Sequence, residues 1–338
     1  MPGGRRRPEP VRCPFYRPLT MAVRELTDGQ AVAQAMVVRN AERRTRRGGG
    51  CFLRLELGDR TGTLTAMVWE DVEATIELAG PGAVVHVSGR YEVHPRYGPQ
   101  LSLRSLRRAQ EEEYDPAELL DGPPRSAELM EADLRGLIAT VQDPWLRRLL
   151  ERILGSQAPA WARYREQPAA KHYHQAYRHG LLEHSLGVAE AVSAISATFP
   201  GIDRDVAVTG ALLHDIGKLE AYAFCGPAID LTDAGRLQGE IPLGYYRVRR
   251  TMEELEGFPA ATGEAVLHII LAHHGSLEHG SPVLPCTREA TLVHMIDNLG
   301  GRLGSFDRLE KELRQGERWS GFDRALGGGA YFSERAAA

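Results

Sequence analysis

The spacing of apolar positions changes once along the chain, and this change divides it into two parts. Between residues 26 and 108 the apolar positions fall in short runs that alternate or are rich in β-branched residues, as is typical of strands. These runs cover residues 31–39, 51–57, 64–69, 83–91 and 100–106. Turn-forming stretches separate the runs, and residues 71–78 have the pattern of one helix after the third strand. Five strands with a helix in that place predict a small barrel of the OB type.

Beyond residue 126 the apolar residues instead recur at three- and four-residue steps, the spacing of amphipathic helices. The clearest stretch contains Leu146, Leu149, Leu150 and Ile153. The predicted helices cover residues 127–141, 144–154, 180–199, 205–218, 242–255, 261–274 and 288–314. We therefore predict a multidomain fold, in which an N-terminal five-stranded all-β OB barrel precedes a C-terminal all-α domain.

Shifts in composition give the predicted domain boundaries. Residues 1–20 are rich in Arg and Pro, which predicts a disordered basic tail and makes Met21 a candidate for the native first residue. The barrel takes residues 21–110, and the acidic, proline-containing stretch 111–125 is the predicted linker. The helical domain takes residues 126–326, and a flexible tail is predicted for residues 327–338.

The bulk composition fits two globular domains. A chain of 338 residues with 43% hydrophobic content is long enough to bury two cores. No apolar run approaches the ~20 residues that cross a bilayer, so we expect a cytoplasmic protein without a membrane partner. The cysteines are too widely spaced for a zinc ribbon or a disulfide framework; they are Cys13, Cys51, Cys225 and Cys286.

The net charge of -4 conceals an asymmetry between the two parts of the chain. Residues 1–110 contain 18 Lys and Arg against 11 Asp and Glu, a net charge of +7, which leaves -11 for the remainder. A basic front half on an acidic protein suggests a polyanionic partner for that half. A solvated arginine-rich surface would explain the charge alone equally well.

The predicted barrel contains candidate residues for binding single-stranded nucleic acid. OB barrels commonly bind such strands across their second and third β-strands, with bases stacked on aromatic rings and phosphates held by cations. The candidates for stacking are Phe52, Trp69, Tyr91 and Tyr97, and those for phosphates are Arg43, Arg44, Arg46 and Arg47. Each aromatic residue has an alternative place in the barrel core, and only the direction of its side chain distinguishes the two.

Candidate metal ligands are concentrated in the second half. The stretch ALLHDIGKLE places His214 and Asp215 side by side in an apolar run, where an unpaired carboxylate would be costly. An imidazole and a carboxylate can bind one divalent metal together, and the carboxylate has a second oxygen for another ion. Further candidates sit on other predicted helices: His184, His273, His274 and Asp297. We interpret His268 and His294 as ordinary core histidines.

The order of these motifs resembles a known family. The segments AYRHGLLEHSL, ALLHDIGKLE, LAHHGSLEHGSPVLP and EATLVHMIDNL are similar to those of the HD superfamily of metal-dependent phosphohydrolases. More narrowly they resemble the YhaM family of 3′-to-5′ exoribonucleases, in which an OB domain precedes an HD domain. The front half agrees, because LELGDRTGTLTAMVWE and YGPQLSL are similar to that family's OB signature. The resemblance spans roughly residues 22–325.

The resemblance implies a ligand set. One divalent ion would be held by His184, His214, Asp215 and Asp297, and Asp215 would bridge to a second ion held by His273 and His274. The family is expected to have a histidine in the segment QGEIPLG, where this sequence has Glu240. A carboxylate there keeps the second ion by harder coordination or leaves that site weak, so one or two ions per chain are expected. Mn²⁺ is the expected metal, with Mg²⁺, Fe²⁺ and Co²⁺ as alternatives.

The resemblance also implies an activity. We expect a metal-dependent 3′-to-5′ exonuclease of single-stranded RNA, with DNA as a further substrate left open, in which Asp215 and Lys218 are catalytic. One alternative is an HD phosphohydrolase of a nucleotide or cyclic dinucleotide with a regulatory barrel. Another is an inactive nucleic-acid-binding protein. Self-association to a homo-oligomer is compatible with the resemblance.

Overall fold

The computed structural model describes residues 21–333 except 47–48, 96, 116–118, 120–121, 172–174, 226–227 and 314–315. The predictions for the 1–20 tail, for the last five residues of the 327–338 tail and for Arg47 therefore lie outside the described residues.

The first domain is a closed five-stranded barrel, as predicted. Its strands are β1 (Ala31–Thr45), β2 (Cys51–Asp59), β3 (Gly62–Val68), β4 (Val84–His94) and β5 (Gly98–Arg108). They follow one another around the barrel in the order β1-β2-β3-β5-β4, and helix α1 (Val72–Leu78) connects β3 to β4. All neighbours are antiparallel except β3 and β5, which are parallel.

The alternation along each strand produces the barrel core. Leu53, Leu55 and Leu57 of β2 point inward and are fully buried, whereas the residues between them are only partly covered. Strand β1 is six residues longer than predicted, because its Arg-rich end pairs with the start of β2 although it has no apolar alternation. Asp59 closes the β2–β3 turn by accepting hydrogen bonds from the backbone N–H of Val23 at 2.7 Å and of Thr61 at 2.7 Å.

The second domain is helical, and all seven predicted helices are present. The long helices are α2 (Ala127–Ala139), α3 (Pro144–Leu154), α5 (Gly180–Ser196), α6 (Arg204–Leu213), α9 (Glu240–Glu253), α10 (Ala260–Ala272) and α11 (Arg288–Glu312). Sequence patterning missed three short helices, α4 (Trp161–Glu166), α7 (Lys218–Ala221) and α8 (Asp233–Gln238). It also missed a hairpin of β6 (Tyr222–Cys225) and β7 (Ala228–Leu231), so the domain is not purely helical.

One predicted helix is divided, and the division forms the site. The apolar run 205–218 was predicted as one helix, but α6 ends at Leu213 and α7 begins at Lys218. The turn between them contains the His214-Asp215 pair. Gly217 permits this turn to pack closely, because a Cβ there would overlap the Glu240 carbonyl of α9. The turn and the N-terminus of α9 therefore lie in direct backbone contact.

A large apolar core holds the helices that carry the site. Leu182 of α5, Leu212 of α6 and Ile269 of α10 are fully buried in one cluster. Inside this cluster the Tyr164 hydroxyl donates a hydrogen bond to the Leu212 carbonyl at 3.0 Å. Leu212 lies one residue before the end of α6. Among the described residues, no helix is both long and apolar enough to cross a membrane.

The two domains face each other across a cleft of about 2290 Å³. Its barrel wall is the β2–β3 turn with its flanks, and its helical wall includes His184, Tyr177 and Glu183. Arg39 spans the junction, because its guanidinium donates hydrogen bonds to the carbonyls of Asp59 at 3.1 Å and Leu119 at 3.2 Å. The cleft thus opens between the turn end of the barrel and the segment of α5 that contains His184.

Candidate metal centre

The His214-Asp215 turn is buried and its imidazole is held in one orientation. His214 and Asp215 are 1% and 2% exposed. The Nδ1–H of His214 donates to the Ala211 carbonyl at 2.7 Å, since a carbonyl can only accept. This assignment leaves the Nε2 lone pair pointing into the site, which is the usual arrangement of a metal-binding histidine.

Three elements bring the first group of donor atoms together. His184 of α5, His214 and Asp297 of α11 each offer one ligand atom, and these atoms lie within 4.8 Å of one another. The Nε2 atom of His184 lies 3.2 Å from Nε2 of His214 and 3.1 Å from Oδ1 of Asp297. The turn supplies one ligand and the two helices supply the others, so the group exists only in the folded domain.

A second group lies at the ends of α9 and α10. Glu240, the first residue of α9, and His273 and His274, which follow α10, also offer ligand atoms within 4.8 Å of one another. His273 Nδ1–H donates to the Ile270 carbonyl at 2.7 Å and His274 Nδ1–H to the His279 carbonyl at 2.9 Å. Both Nε2 atoms are therefore free to act as ligands, and that of His274 lies 3.3 Å from Glu240 Oε1.

Asp215 lies between the two groups and directs one oxygen to each. Its Oδ2 is 3.3 Å from His214 Nε2 and 3.4 Å from His184 Nε2, whereas its Oδ1 is 3.5 Å from His273 Nε2. Among the described residues, no hydrogen-bond partner reaches the buried atoms Asp215 Oδ1 and His273 Nε2. Buried polar atoms of this kind are costly unless something binds them. Imidazole and carboxylate donors around two such atoms fit divalent metal ions.

The acids of the site are held as carboxylates. Burial alone would raise the pKa of Asp215, but Lys218 and His214 hold it well below its usual range. The same opposition applies to Asp297, where a hydrogen bond from His184 and the charge of His214 lower the pKa. Burial lowers the pKa of His214, yet the two carboxylates raise it to about 9. Both carboxylates are therefore charged, and a cation that binds beside them takes the place of the proton on His214.

Lys218 is the fixed cation of the site. Its Nζ donates to Asp215 Oδ2 at 2.6 Å, and its side chain is 12% exposed. Burial would lower its pKa, but the charges of Asp215 and Glu240 raise it above its ordinary value, so the amine stays protonated. Lys218 thus neutralises part of the carboxylate charge at the edge of the donor groups.

Three residues that the sequence did not single out hold the segments that carry the ligands. Gln175 Oε1 accepts from His184 Nδ1–H at 3.0 Å and thereby turns Nε2 toward the centre. Glu220 of α7 forms an ion pair with Arg247 of α9, which ties the segment after the turn to the helix that carries Glu240. These contacts join segments that are distant in sequence, so only spatial proximity reveals them.

The two histidines interpreted as core residues lie outside the donor groups. His294 of α11 donates from Nδ1 to the His273 carbonyl at 2.8 Å and packs against Gly275, where a Cβ would overlap its ring. His268 accepts from the backbone N–H of Cys286 at 3.0 Å through Nε2. His294 therefore holds the backbone of the second group in place without contributing a ligand.

Part of the predicted nucleic-acid surface forms a compact stacking pair on the barrel. The rings of Phe52 and Trp69 stack with centroids 4.9 Å apart and planes 29° from parallel. The Arg46 guanidinium lies 4.8 Å from the Trp69 ring and donates to the Trp69 carbonyl at 2.9 Å. Trp69 is 53% exposed, so the outer part of this pair remains available to a base.

The other candidates on the barrel are dispersed. Arg43 pairs with Glu73 at 2.9 Å and Arg44 with Glu42 at 2.7 Å, so both cations already have carboxylate partners. Tyr97 lies on the β4–β5 turn beside His94 and is 61% exposed. It is distant in sequence from the stacking pair.

Tyr91 requires a correction. Tyr91 was among the stacking candidates predicted from the sequence, with the barrel core as its alternative place. Its side chain is only 8% exposed and belongs to the barrel core. Its place on β4 directs the ring inward, toward the residues that the alternation of neighbouring strands also buries. A ring packed on its faces by apolar side chains cannot stack on a base, so Tyr91 leaves the candidate set.

Comparisons with known proteins match both domains and nearly the whole chain. The family model described as HD domain matches residues 181–301, and that described as OB-fold nucleic acid binding domain matches residues 25–108. The 3′-5′ exoribonuclease YhaM of Halalkalibacterium halodurans is 31% identical over 299 residues, covering 86% of this chain and 89% of its own length. That of Bacillus subtilis is 29% identical over 294 residues, covering 86% and 90%.

Solved structures give only a weak likeness. An asparaginyl-tRNA synthetase of Entamoeba histolytica matches 40% of this chain and 36% of its own, at 12% identity and a TM-score of 0.22. A match of that size says nothing about function.

Proposed function

The chain belongs to the YhaM family of 3′-5′ exoribonucleases, and on this premise we propose that it removes nucleotides from the 3′ end of single-stranded RNA with the help of divalent metal. The observation that carries the proposal is the position of Asp215 between two groups of donor atoms. Two donor groups joined by one carboxylate are suited to phosphodiester hydrolysis, in which negative charge grows on the phosphoryl oxygens.

If divalent metal is held by these residues, it would supply a water of lowered pKa and positive charge for the phosphoryl oxygens. His184, His214 and Asp297 hold one ion in this proposal, Glu240, His273 and His274 hold the other, and Asp215 serves both. Mn²⁺ is the proposed metal, with Mg²⁺, Fe²⁺ and Co²⁺ as the alternatives for this mixed set of imidazole and carboxylate donors.

The protein's own groups have distinct parts in the proposal. Asp215 supplies the shared negative charge, which Lys218 and His214 maintain although the carboxylate is buried. Lys218 carries a fixed positive charge, and its Nζ lies 2.6 Å from Asp215 Oδ2. The carboxylate balances part of this charge. The remaining positive charge stabilises an anionic transition state in the proposal. Gln175 and His294 keep two of the imidazole-bearing segments in position.

The barrel and the size of the cleft favour a polymeric substrate rather than a free nucleotide. The cleft beside His184 is about 2290 Å³, far beyond the roughly 300–1,000 Å³ of a pocket for a small molecule. Its second wall belongs to the barrel, whose surface carries the Phe52–Trp69 pair. We also propose a cytoplasmic location, because RNA turnover takes place there, and leave self-association and DNA cleavage as open extensions of the proposal.

The proposal is tested with purified protein and a 5′-labelled single-stranded RNA in Mn²⁺. The expected products form a ladder that shortens from the 3′ end, and both EDTA and the Asp215→Ala substitution should abolish it. A substrate with the label at its 3′ end should release labelled mononucleotide at once. Internal cleavage, or equal activity of the Asp215→Ala protein, contradicts the proposal.

The same purified protein distinguishes RNA shortening from the alternative activity, hydrolysis of small nucleotides. Cyclic dinucleotides and nucleoside triphosphates are incubated with the protein and Mn²⁺ in place of RNA. Turnover of these compounds without shortening of RNA would favour a small-nucleotide phosphohydrolase with a regulatory barrel. Binding of RNA without turnover of either substrate would favour an inactive nucleic-acid-binding protein.

A further inference from the structure

The outer face of β2 and β3 forms a lane that joins the stacking pair to the cleft. The register places Arg54 opposite Met67, Glu56 opposite Thr65 and Gly58 opposite Thr63. Because side chains alternate along a strand, these residues share the face that points away from the buried Leu53, Leu55 and Leu57. We define the lane by its outward residues: Phe52, Arg54, Glu56, Thr63, Thr65, Met67 and Trp69.

The two ends of the lane have different surroundings. Phe52 and Trp69 form the stacking pair at one end, and Thr63 lines the cleft at the other end. The six residue steps from Phe52 to Gly58 span roughly 20 Å of strand. His184 lines the same cleft, so the stacking pair and the metal ligands lie at opposite ends of one route along the surface.

Among the described residues, arginines without an ion pair lie at the two ends of this route, whereas the arginine in its middle is paired with a carboxylate. Arg54 and Glu56 pair with each other at 2.7 Å, and Arg54 also donates to the Thr65 hydroxyl at 3.3 Å. At the cleft end Arg24 and Arg60 are exposed, and no ion pair of the described residues engages either guanidinium. At the far end Arg46 lies against Trp69. A phosphate backbone therefore meets attractive charge at two separated places.

We propose that this separation makes the enzyme sensitive to RNA length. A strand that reaches from the metal cluster to the Phe52–Trp69 pair is held at both ends of the lane and is shortened quickly, whereas a shorter strand is held only in the cleft. The inference rests on the proposed 3′-to-5′ exonuclease function. Because the middle of the lane has no unpaired charge, binding strength changes in one step as the strand loses the stacking pair.

The expected position and size of the step follow from the geometry. OB domains contact about 4–16 nucleotides, and nucleotides in the cleft add to that number, so the step falls at or above the lower end of this range. Stacking of one base changes affinity by roughly 5- to 150-fold. Long strands should therefore have a kcat/KM higher than short strands by about this factor.

The test measures kcat/KM as a function of strand length. Purified full-length protein with Mn²⁺ is given 5′-labelled oligouridylates from dinucleotides to strands of about 40 nucleotides, which form no stable secondary structure. The expected profile has one step, and Trp69→Ala should reduce the ratio of long-strand to short-strand kcat/KM toward one. Phe52→Ala should act in the same direction, because it removes the ring that supports Trp69.

The control is Trp319→Ala. Trp319 is 63% exposed like Trp69 but lies outside the lane, beside Tyr331, so its removal should leave the ratio as in the unmodified protein. Equal kcat/KM at all lengths, or a step that survives Trp69→Ala in a protein with an unchanged circular dichroism spectrum, overturns the length inference while the exonuclease proposal stands. No shortening at any length overturns the proposed function and this inference with it.

Discussion

Asp215 Oδ1 lies 3.5 Å from His273 Nε2, and each of these buried atoms lacks a hydrogen-bond partner among the described residues. The other oxygen of Asp215 faces His184 and His214 at 3.4 and 3.3 Å. The described part of the chain thus keeps two buried acceptor atoms to which no group of that part donates. This is an arrangement that costs stability unless a cation binds between the two groups.

The first prediction concerns this cost. Mn²⁺ should raise the melting temperature of the chelated protein, because ion binding satisfies the buried donor atoms in the folded state alone. An ion at 100 times its dissociation constant contributes about 2.7 kcal/mol, or roughly 5–10 °C for a domain of this size. Differential scanning fluorimetry with EDTA or Mn²⁺ measures the shift. Asp215→Ala protein should show little response, and an equal shift in both proteins contradicts the prediction.

The second prediction concerns the second donor group. Glu240→Gln removes the carboxylate charge that faces His274 at 3.3 Å, so the protein should retain one tightly bound ion and lose the other. We expect exonuclease activity to fall by about 100-fold or more, because one of two cooperating ions is lost. Metal content after gel filtration and kcat on RNA are the measurements.

Glu240→His is the matched control for that substitution. An imidazole is also a ligand for divalent metal, and a histidine is expected in the family within the segment that reads QGEIPLG here. Glu240→His should therefore bind more metal than Glu240→Gln and regain part of the activity. Equal metal content in Glu240→Gln and the unmodified protein would mean that Glu240 is not a ligand.

The third prediction concerns the close contact between the turn and α9. Gly217→Ala places a methyl group on the Glu240 carbonyl and beside the Gly244 nitrogen, so one backbone must move. We expect a loss of about 1–3 kcal/mol in the free energy of unfolding, together with weaker binding of the second ion. Denaturant titration and metal content measure the two effects.

A glycine without neighbours provides the comparison. Gly136 lies on the exposed side of α2, and an added Cβ there meets nothing within 4 Å. Gly136→Ala should stabilise the protein by up to about 1 kcal/mol, because Ala has the higher helix propensity. If both substitutions change the free energy of unfolding in the same direction, the close approach at Gly217 does not explain the effect of Gly217→Ala.

The fourth prediction concerns the orientation of His184. Gln175→Leu removes the acceptor for His184 Nδ1–H, so the imidazole can rotate away from His214 and Asp297. Loss of such a supporting hydrogen bond should lower metal affinity or activity by about 10- to 100-fold. Gln175→Glu keeps an acceptor and should retain metal affinity near the original value. Isothermal titration with Mn²⁺ distinguishes the pair, and equal affinities of the two variants would exclude this role.

The sequence predicted the fold well because its signals are local. Alternation along β2 and the spacing of Leu146, Leu149, Leu150 and Ile153 depend only on near neighbours, and both predicted structures are present. The hairpin β6–β7 was missed because each of its strands has only four residues, too few for a periodic pattern. The division of the predicted helix 205–218 was missed because it depends on contact with α9.

The candidate site could be assembled from the sequence only as a set of residue types. His184, His214, Asp215, His273, His274 and Asp297 were recognisable by their side chains and by the resemblance of their motifs. Gln175 and Arg247 carry no such signal, because their contributions are contacts with elements distant in sequence. Tyr91 shows the converse, since its residue type suited stacking but its ring faces the core.

By itself, the sequence determined the two domain types, their order and the chemistry of the ligands, since residue type and local period carry that information. Only the tertiary structure decided which oxygen of Asp215 faces which donor group, that Phe52 and Trp69 stack, and that the lane between them and His184 crosses a charge-balanced middle. Those relationships depend on the direction of side chains after the strands close and the helices pack, and chain-local patterns do not specify these directions.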